Sequence, residues 1–138
     1  MKSSFALLPI ASMMATGATM LPALAPIAVA KEQVDPGKRL FLQCRACHTL
    51  APGEPHKVGP NLGKILGAKA AQKPGYKYSK ALSQSGLVWD YKTMDHWIEN
   101  PSAVLVGHKM VYFGMKDPAQ RRMLIRYLSR ETKSGDPK

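Results

Sequence analysis

Five consecutive residues, Cys44-Arg45-Ala46-Cys47-His48, constrain this chain more than any other stretch. Cys-x-x-Cys-His is the pattern by which c-type haem is attached covalently. Two thiols three positions apart reach the two vinyl groups on one edge of a haem. The next residue then places its imidazole under the iron as the proximal ligand. The chain has 2 cysteines in all, so the motif takes both and leaves none for a disulfide. A Cys-x-x-Cys redox pair expects a βαβ setting, and no run here alternates in that way. A zinc site needs two further ligands at finger-like spacing, which His56 and His108 do not supply.

Residues 1–30 read as a leader rather than as part of the fold. Met1-Lys2 is a small positive start, and Phe5 to Val29 is almost wholly apolar or small. Ala28-Val29-Ala30 offers an A-x-A cleavage site ahead of the charged Lys31-Glu32. Pro9, Gly17, Pro22 and Pro26 make a continuous spanning helix poor, although the length would permit an uncleaved anchor. Export suits thioether ligation, which belongs outside the reducing cytoplasm. The expected layout is a signal peptide over 1–30 and one domain over 31–138. A domain so short has a thin core, and a covalently held apolar cofactor would supply much of the missing buried surface. Charge narrows the partners. The chain carries 20 Lys and Arg against 9 Asp and Glu, which suits an acidic partner surface or anionic lipid. No basic and aromatic nucleic-acid motif accompanies it.

Helix signals punctuate the rest. Asp35 as N-cap with Pro36 at the first position opens a helix that runs straight into the haem motif, with Leu40, Phe41 and Cys44 on one face. Residues 49–78 are rich in Gly, Pro and Lys and read as a long loop wrapped over something large. Ser79 to Ser85 is a short helix stopped at Gly86. Asp90 caps a better one with Met94, Trp97 and Ile98 on one face, ended by Pro101. A third turn is expected over Ser102 to Val106. Residues 107–115, bracketed by glycines, carry no helical pattern. Asp117-Pro118 opens a last helix to about Thr132, in which Met123, Leu124, Tyr127 and Leu128 are expected inward. Arg121, Arg122, Arg126 and Arg130 are expected to face water. The fold class is all-α, with short helices and long loops in one domain.

With the haem motif near the start of the mature chain, the sequence resembles class I cytochrome c, in the manner of its mitochondrial-type and exported bacterial members. The likeness runs over nearly all of residues 35–132. It is carried by Cys44-Arg45-Ala46-Cys47-His48-Thr49, Lys57-Val58-Gly59-Pro60-Asn61-Leu62, Pro74-Gly75-Tyr76-Lys77-Tyr78-Ser79, Gly86-Leu87-Val88-Trp89, Ile98-Glu99-Asn100-Pro101, Lys109-Met110 and Leu124-Ile125-Arg126-Tyr127-Leu128. The resemblance implies short helices round one covalent haem c, and electron transfer rather than catalysis. It implies Met110 as the distal iron ligand opposite His48. Pro60 would offer its carbonyl to the other ring nitrogen of His48, and Tyr78 and Trp89 would serve a haem propionate. Gly37, Phe41, Leu124 and Tyr127 would form the crossing of the first and last helices. His56 reads as a loop-bridging histidine.

Some positions depart from the family. Trp97 stands where a tyrosine commonly donates to the ligand methionine, and His108 replaces a threonine that usually braces the ligand loop. Leu82 replaces an asparagine and Ala68 an arginine, while Gln43, Ser102 and Ala103 sit where mitochondrial members carry docking lysines. Lys57, Lys109 and Lys116 are therefore the expected docking cations. The resulting expectation is an exported, periplasmic, monomeric electron carrier. Its implied donor is a membrane quinol-oxidising cytochrome complex, and its acceptor a terminal oxidase or photosynthetic reaction centre. A haem peroxidase or gas-binding sensor with a labile Met110 is the rival, with a haem subunit of a periplasmic dehydrogenase third.

Overall fold

The structure is a computed structural model, and it describes residues 34–133. The leader expected over residues 1–30 lies outside the described residues. Five helices follow one another, α1 (Pro36–Arg45), α2 (Lys80–Gln84), α3 (Tyr91–Glu99), α4 (Pro101–Val104) and α5 (Pro118–Glu131). Among the described residues there is no strand, only one isolated bridge between Lys69 and Val88.

Four of the five helices start at the residues the sequence marks, Asp35, Ser79, Asp90 and Asp117 serving as their caps. The Asp35 carboxylate accepts from Gly37 N at 2.7 Å, Ser79 Oγ from Leu82 N at 3.1 Å and the Asp90 carboxylate from Thr93 N at 2.7 Å. These contacts satisfy amides that a helix start otherwise leaves unpaired. The third turn begins earlier than expected, at Pro101 rather than Ser102, and ends at Val104. The same proline does both jobs. It holds Asn100 extended, at φ −163°, which stops α3. The freed Asn100 side chain then accepts from Ala103 N at 3.3 Å and caps α4.

α5 packs across α1 and also against α3, which in turn packs on α4. At the first crossing Gly37 is buried against Tyr127. A Cβ there would lie 2.6 Å from the Met123 carbonyl oxygen, so only glycine permits this approach. Phe41 and Tyr127 rings meet beside it, 5.8 Å apart.

The inward face of α5 differs from the expected one. Arg121, Leu124, Ile125 and Leu128 are buried, whereas Met123 is 44% exposed. Positions 121, 124, 125 and 128 form an unbroken helical stripe, and a charged residue happens to occupy its first place. Arg121 is tolerated there because α3 supplies Asp95, whose carboxylate accepts from Nε at 2.9 Å and from Nη2 at 3.1 Å. Nη1 also donates to the carbonyls of Met115 and Lys116, at 3.0 and 2.9 Å. Arg122, Arg126 and Arg130 do face water. Arg130 reaches back to pair with Asp35 at the start of α1.

The long loop 49–78 is held by specific bonds rather than by regular structure. Buried Asn61 donates to Thr49 Oγ1 and to the Ala51 carbonyl, both at 2.8 Å. His56 bridges the loop as expected, with Nε2 donating to the Pro74 carbonyl at 2.9 Å and Nδ1 accepting from Asn61 N at 2.9 Å. Lys64 N donates to the Thr132 carbonyl at 2.7 Å, fastening the loop to the end of α5.

Candidate cofactor site

Between α1, α3, the long loop and residues 108–112 lies a cavity of about 320 Å3, lined mainly by apolar side chains. Native interiors seldom hold voids much larger than a water, so a cavity of this size is a binding site rather than a packing flaw. Cys44, Cys47, His48 and Met110 all line it, as do Tyr78, Trp89 and Trp97. Cys44 and Met110, 66 positions apart in the chain, thus meet around one space.

The three residues of the motif are set by the end of α1. The amides of Cys47 and His48 both donate to the Cys44 carbonyl, each at 3.0 Å, closing the last turn. Burial, with Cys47 alongside, pushes the Cys44 thiol up to about 11. A thiol so protonated is a poor spontaneous nucleophile or thiolate ligand. Among the described residues, no group of three or more His, Cys, Asp or Glu is placed to hold a metal ion.

His48 is prepared as a neutral ligand. Its Nδ1 lies 2.7 Å from the Pro60 carbonyl oxygen. A carbonyl can only accept, so Nδ1 carries the proton and Nε2 keeps its lone pair. Burial lowers the imidazole pKa; the Pro60 contact opposes this and nearby Lys57 adds to it. Gly59 lies close against the ring, and a Cβ there would be 2.8 Å from Nδ1. Its amide donates to the Cys47 carbonyl at 2.8 Å. The Gly59-Pro60 pair therefore holds the imidazole plane.

Elsewhere in the lining, the Trp97 indole N–H donates to the Met110 sulfur at 3.2 Å. Trp97 packs edge-on to Trp89 at 5.1 Å and to His108 at 5.3 Å. His108 Nε2 lies 3.0 Å from Ser102 Oγ, which ties residues 107–115 to α4. At these two departures from the family pattern, Trp97 thus contacts the Met110 sulfur and His108 ties its loop to α4.

The other methionines divide clearly. Met94 lines the cavity and is also buried core, whereas Met115 is buried beside Ile98 and does not line it. Leu82 and Ala68 line the cavity too, so these departures present apolar surface to it.

The expected docking cations are all exposed, and each is tethered to a backbone carbonyl. Lys57 donates to Arg45 at 2.8 Å, Lys109 to Lys77 at 3.3 Å and Lys116 to Glu99 at 3.1 Å. Lys109 lines the cavity and Lys57 adjoins Val58, which also lines it; Lys116 sits at the end of α3 instead. Sequence reasoning missed the apolar residues beside these cations. Val58, Val111 and Phe113 are 81%, 93% and 94% exposed. It also missed Tyr112, which lines the cavity with its hydroxyl buried and unpartnered. The aromatic pair Tyr112-Phe113 directly after Lys109-Met110-Val111 was the available signal.

A haem fits this cavity by the chemistry of the lining. Two thiols, a neutral imidazole and a thioether line it, and the rest of the wall is largely apolar. His48 and Met110 would hold the iron, and Cys44 and Cys47 the porphyrin edge.

No family model matches the chain. Curated relatives do. A cytochrome c2 of Rhodomicrobium vannielii is 43% identical over 93 residues, 67% of this chain and 74% of the relative. A cytochrome c of Cochliobolus lunatus is 41% identical over 98 residues, 70% of this chain and 91% of the relative. Among solved structures, cytochrome cH from Methylobacterium extorquens superposes with a TM-score of 0.65 at 38% identity, covering 69% of this chain and 95% of the other.

Proposed function

Because this chain belongs to the class I cytochromes c, electron carriers that bind one covalent haem c, we propose that it shuttles single electrons between exported or membrane-bound redox partners, with His48 and Met110 as axial ligands and thioethers from Cys44 and Cys47. The observation that carries the reading is the convergence of the fixed His48 tautomer and the hydrogen-bonded Met110 sulfur on one cavity. When bound, haem c supplies a one-electron ferrous–ferric couple. The protein supplies ligands, a largely apolar pocket and a docking face.

Each residue has a definite part. Pro60 and Gly59 orient His48 and raise its basicity. Met110 is a neutral, soft ligand that favours the reduced state and raises the potential. Trp97 holds its sulfur. Trp89 and Tyr78 serve a propionate. With His48 and Met110 both holding the iron, no open position would remain for substrate, which separates this reading from a peroxidase or gas sensor with a labile Met110. The Trp97 N–H on the Met110 sulfur favours the carrier.

The donor is a membrane quinol-oxidising cytochrome complex, and the acceptor a terminal oxidase or photosynthetic reaction centre. The protein works in the periplasm, after removal of a leader over residues 1–30; the N-terminus of the native protein tests this directly. Among the described residues no helix is long and apolar enough to cross a membrane.

The decisive test is Met110→Ala. Haem should resist extraction by acidified acetone, while the methionine–ferric absorption band disappears, the potential falls and small ligands bind. If Met94→Ala or Met115→Ala did this and Met110→Ala did not, the ligand assignment would be wrong.

A further inference from the structure

Among the described residues, two buried side-chain polar atoms have no hydrogen-bond partner, His108 Nδ1 and the Tyr112 hydroxyl. They bracket Met110 at equal distance along the chain, and both residues line the cofactor cavity. A buried polar group left unpaired is costly, so each signals something that occupies the cavity beside it.

The two atoms are not equivalent. The electrostatic neighbour of the Tyr112 hydroxyl is Cys44, which places it toward the thioether edge. The His108 ring is fixed elsewhere. Its Nε2 lies 3.0 Å from Ser102 Oγ, and its plane stands edge-on to Trp97 at 5.3 Å. Turning the ring over to pair Nδ1 differently would break the Ser102 contact. A serine hydroxyl can donate to Nε2, and in that arrangement Nδ1 carries the ring proton. The result is a rigid, buried and unpartnered N–H on a residue that lines the cavity.

Its acceptor follows from the chemistry of the group that fits there. The porphyrin nitrogens are engaged by iron, and the vinyl groups by the two cysteines. Of the remaining periphery only the two propionate carboxylates accept hydrogen bonds. We propose that His108 Nδ1–H donates to a haem propionate, with Ser102 as the positioning residue that selects this tautomer. The proposal rests on the haem reading above. It makes His108 a cofactor-binding residue in the same loop as the axial methionine. A displacement of Met110 from the iron would then disturb the propionate contact as well.

Nitrogen-15 NMR of the ferrous holoprotein tests this without a variant. The His108 ring should be the Nδ1-protonated tautomer, its proton should exchange slowly, and it should show a nuclear Overhauser contact to propionate methylene protons. An Nε2-protonated ring, or an Nδ1–H in contact only with water, would overturn the proposal. Two substitutions add an independent arm. His108→Asn places an amide N–H near the Nδ1 position, whereas His108→Gln reaches toward Ser102 and leaves the inward position without a donor. The midpoint potential should fall in His108→Gln, where the carboxylate charge is less offset, and stay near wild type in His108→Asn. Equal potentials in the two variants would refute the assignment. Ser102→Ala should speed exchange of the Nδ1 proton. Haem that acidified acetone extracts from the wild type would defeat the cofactor reading itself, a failure separate from all of these.

Discussion

At the residue scale, the Trp97–Met110 contact would decide how firmly Met110, the proposed sixth ligand, is held. A net hydrogen bond contributes about 1 kcal/mol, and roughly 1.4 kcal/mol is tenfold in an equilibrium constant. Trp97→Phe keeps an aromatic ring and removes only the donor. Ferric protein should then bind added imidazole in place of Met110 about fivefold more tightly. Titration of the methionine–ferric band measures this, and an unchanged affinity would mean that the indole N–H does not hold the sulfur. Legibility differed between residues here. Position 97 could be read as a departure from the family pattern. That an indole N–H reaches the same sulfur depends on the distance across the cavity, which no local pattern encodes.

Helix starts and crossings belong to the element scale. At the α1–α5 crossing, the Cβ of Gly37→Ala would meet the Met123 carbonyl at 2.6 Å. A backbone oxygen yields only if the helices part. Overpacking of this kind costs about 1–3 kcal/mol, and alanine's better helix preference of ~1 kcal/mol offsets only part. Denaturant unfolding of the holoprotein should show a net loss, and a gain would remove glycine's role at the crossing. At the start of α3, the backbone N–H of Thr93, followed by its hydroxyl, holds the Asp90 carboxyl below the usual carboxylate range. A depressed folded value means that this capping contribution is present above the unfolded pKa of about 3.9. It fades as pH falls through the lowered folded value. Asp90→Asn still caps the helix without titrating. The two proteins should be similar at neutral pH, with wild type losing stability more steeply below about pH 4. Parallel acid limbs would contradict this.

At the scale of the whole molecule, the chain carries a formal net charge of +11, and the wall of its cavity is mainly apolar. Lys57 and Lys109 stand beside the exposed Val58 and Val111, while Lys116 lies at the end of α3. Cations at a docking rim govern encounter more than residence. Screening acts over about 8 Å at physiological ionic strength. Electron-transfer rates with an acidic partner should therefore fall as salt rises. Lys57→Glu and Lys109→Glu should slow association several-fold, and Lys116→Glu less. Stopped-flow kinetics over a salt series measures both. Rates insensitive to salt and to reversal would mean that Val58, Val111 and Phe113 make the contact and the lysines only solvate the surface.

Local chemistry is legible in a one-dimensional chain. The haem motif and the caps at Asp35, Ser79 and Asp90 rest on residues close in sequence. Those were set by the sequence alone, because propensity, capping and covalent spacing act over a few residues. The tertiary structure decided what depends on groups brought together from afar. Arg121 is buried rather than wet because Asp95 on another helix meets its guanidinium. Met123 gave up its expected inward place to Ile125, since packing of α5 on both α1 and α3 fixed the rotation of the helix. His108 became a brace because α4 presents Ser102 to its ring. Partners of charge and of hydrogen bonds lie across space, and only the packed chain selects them.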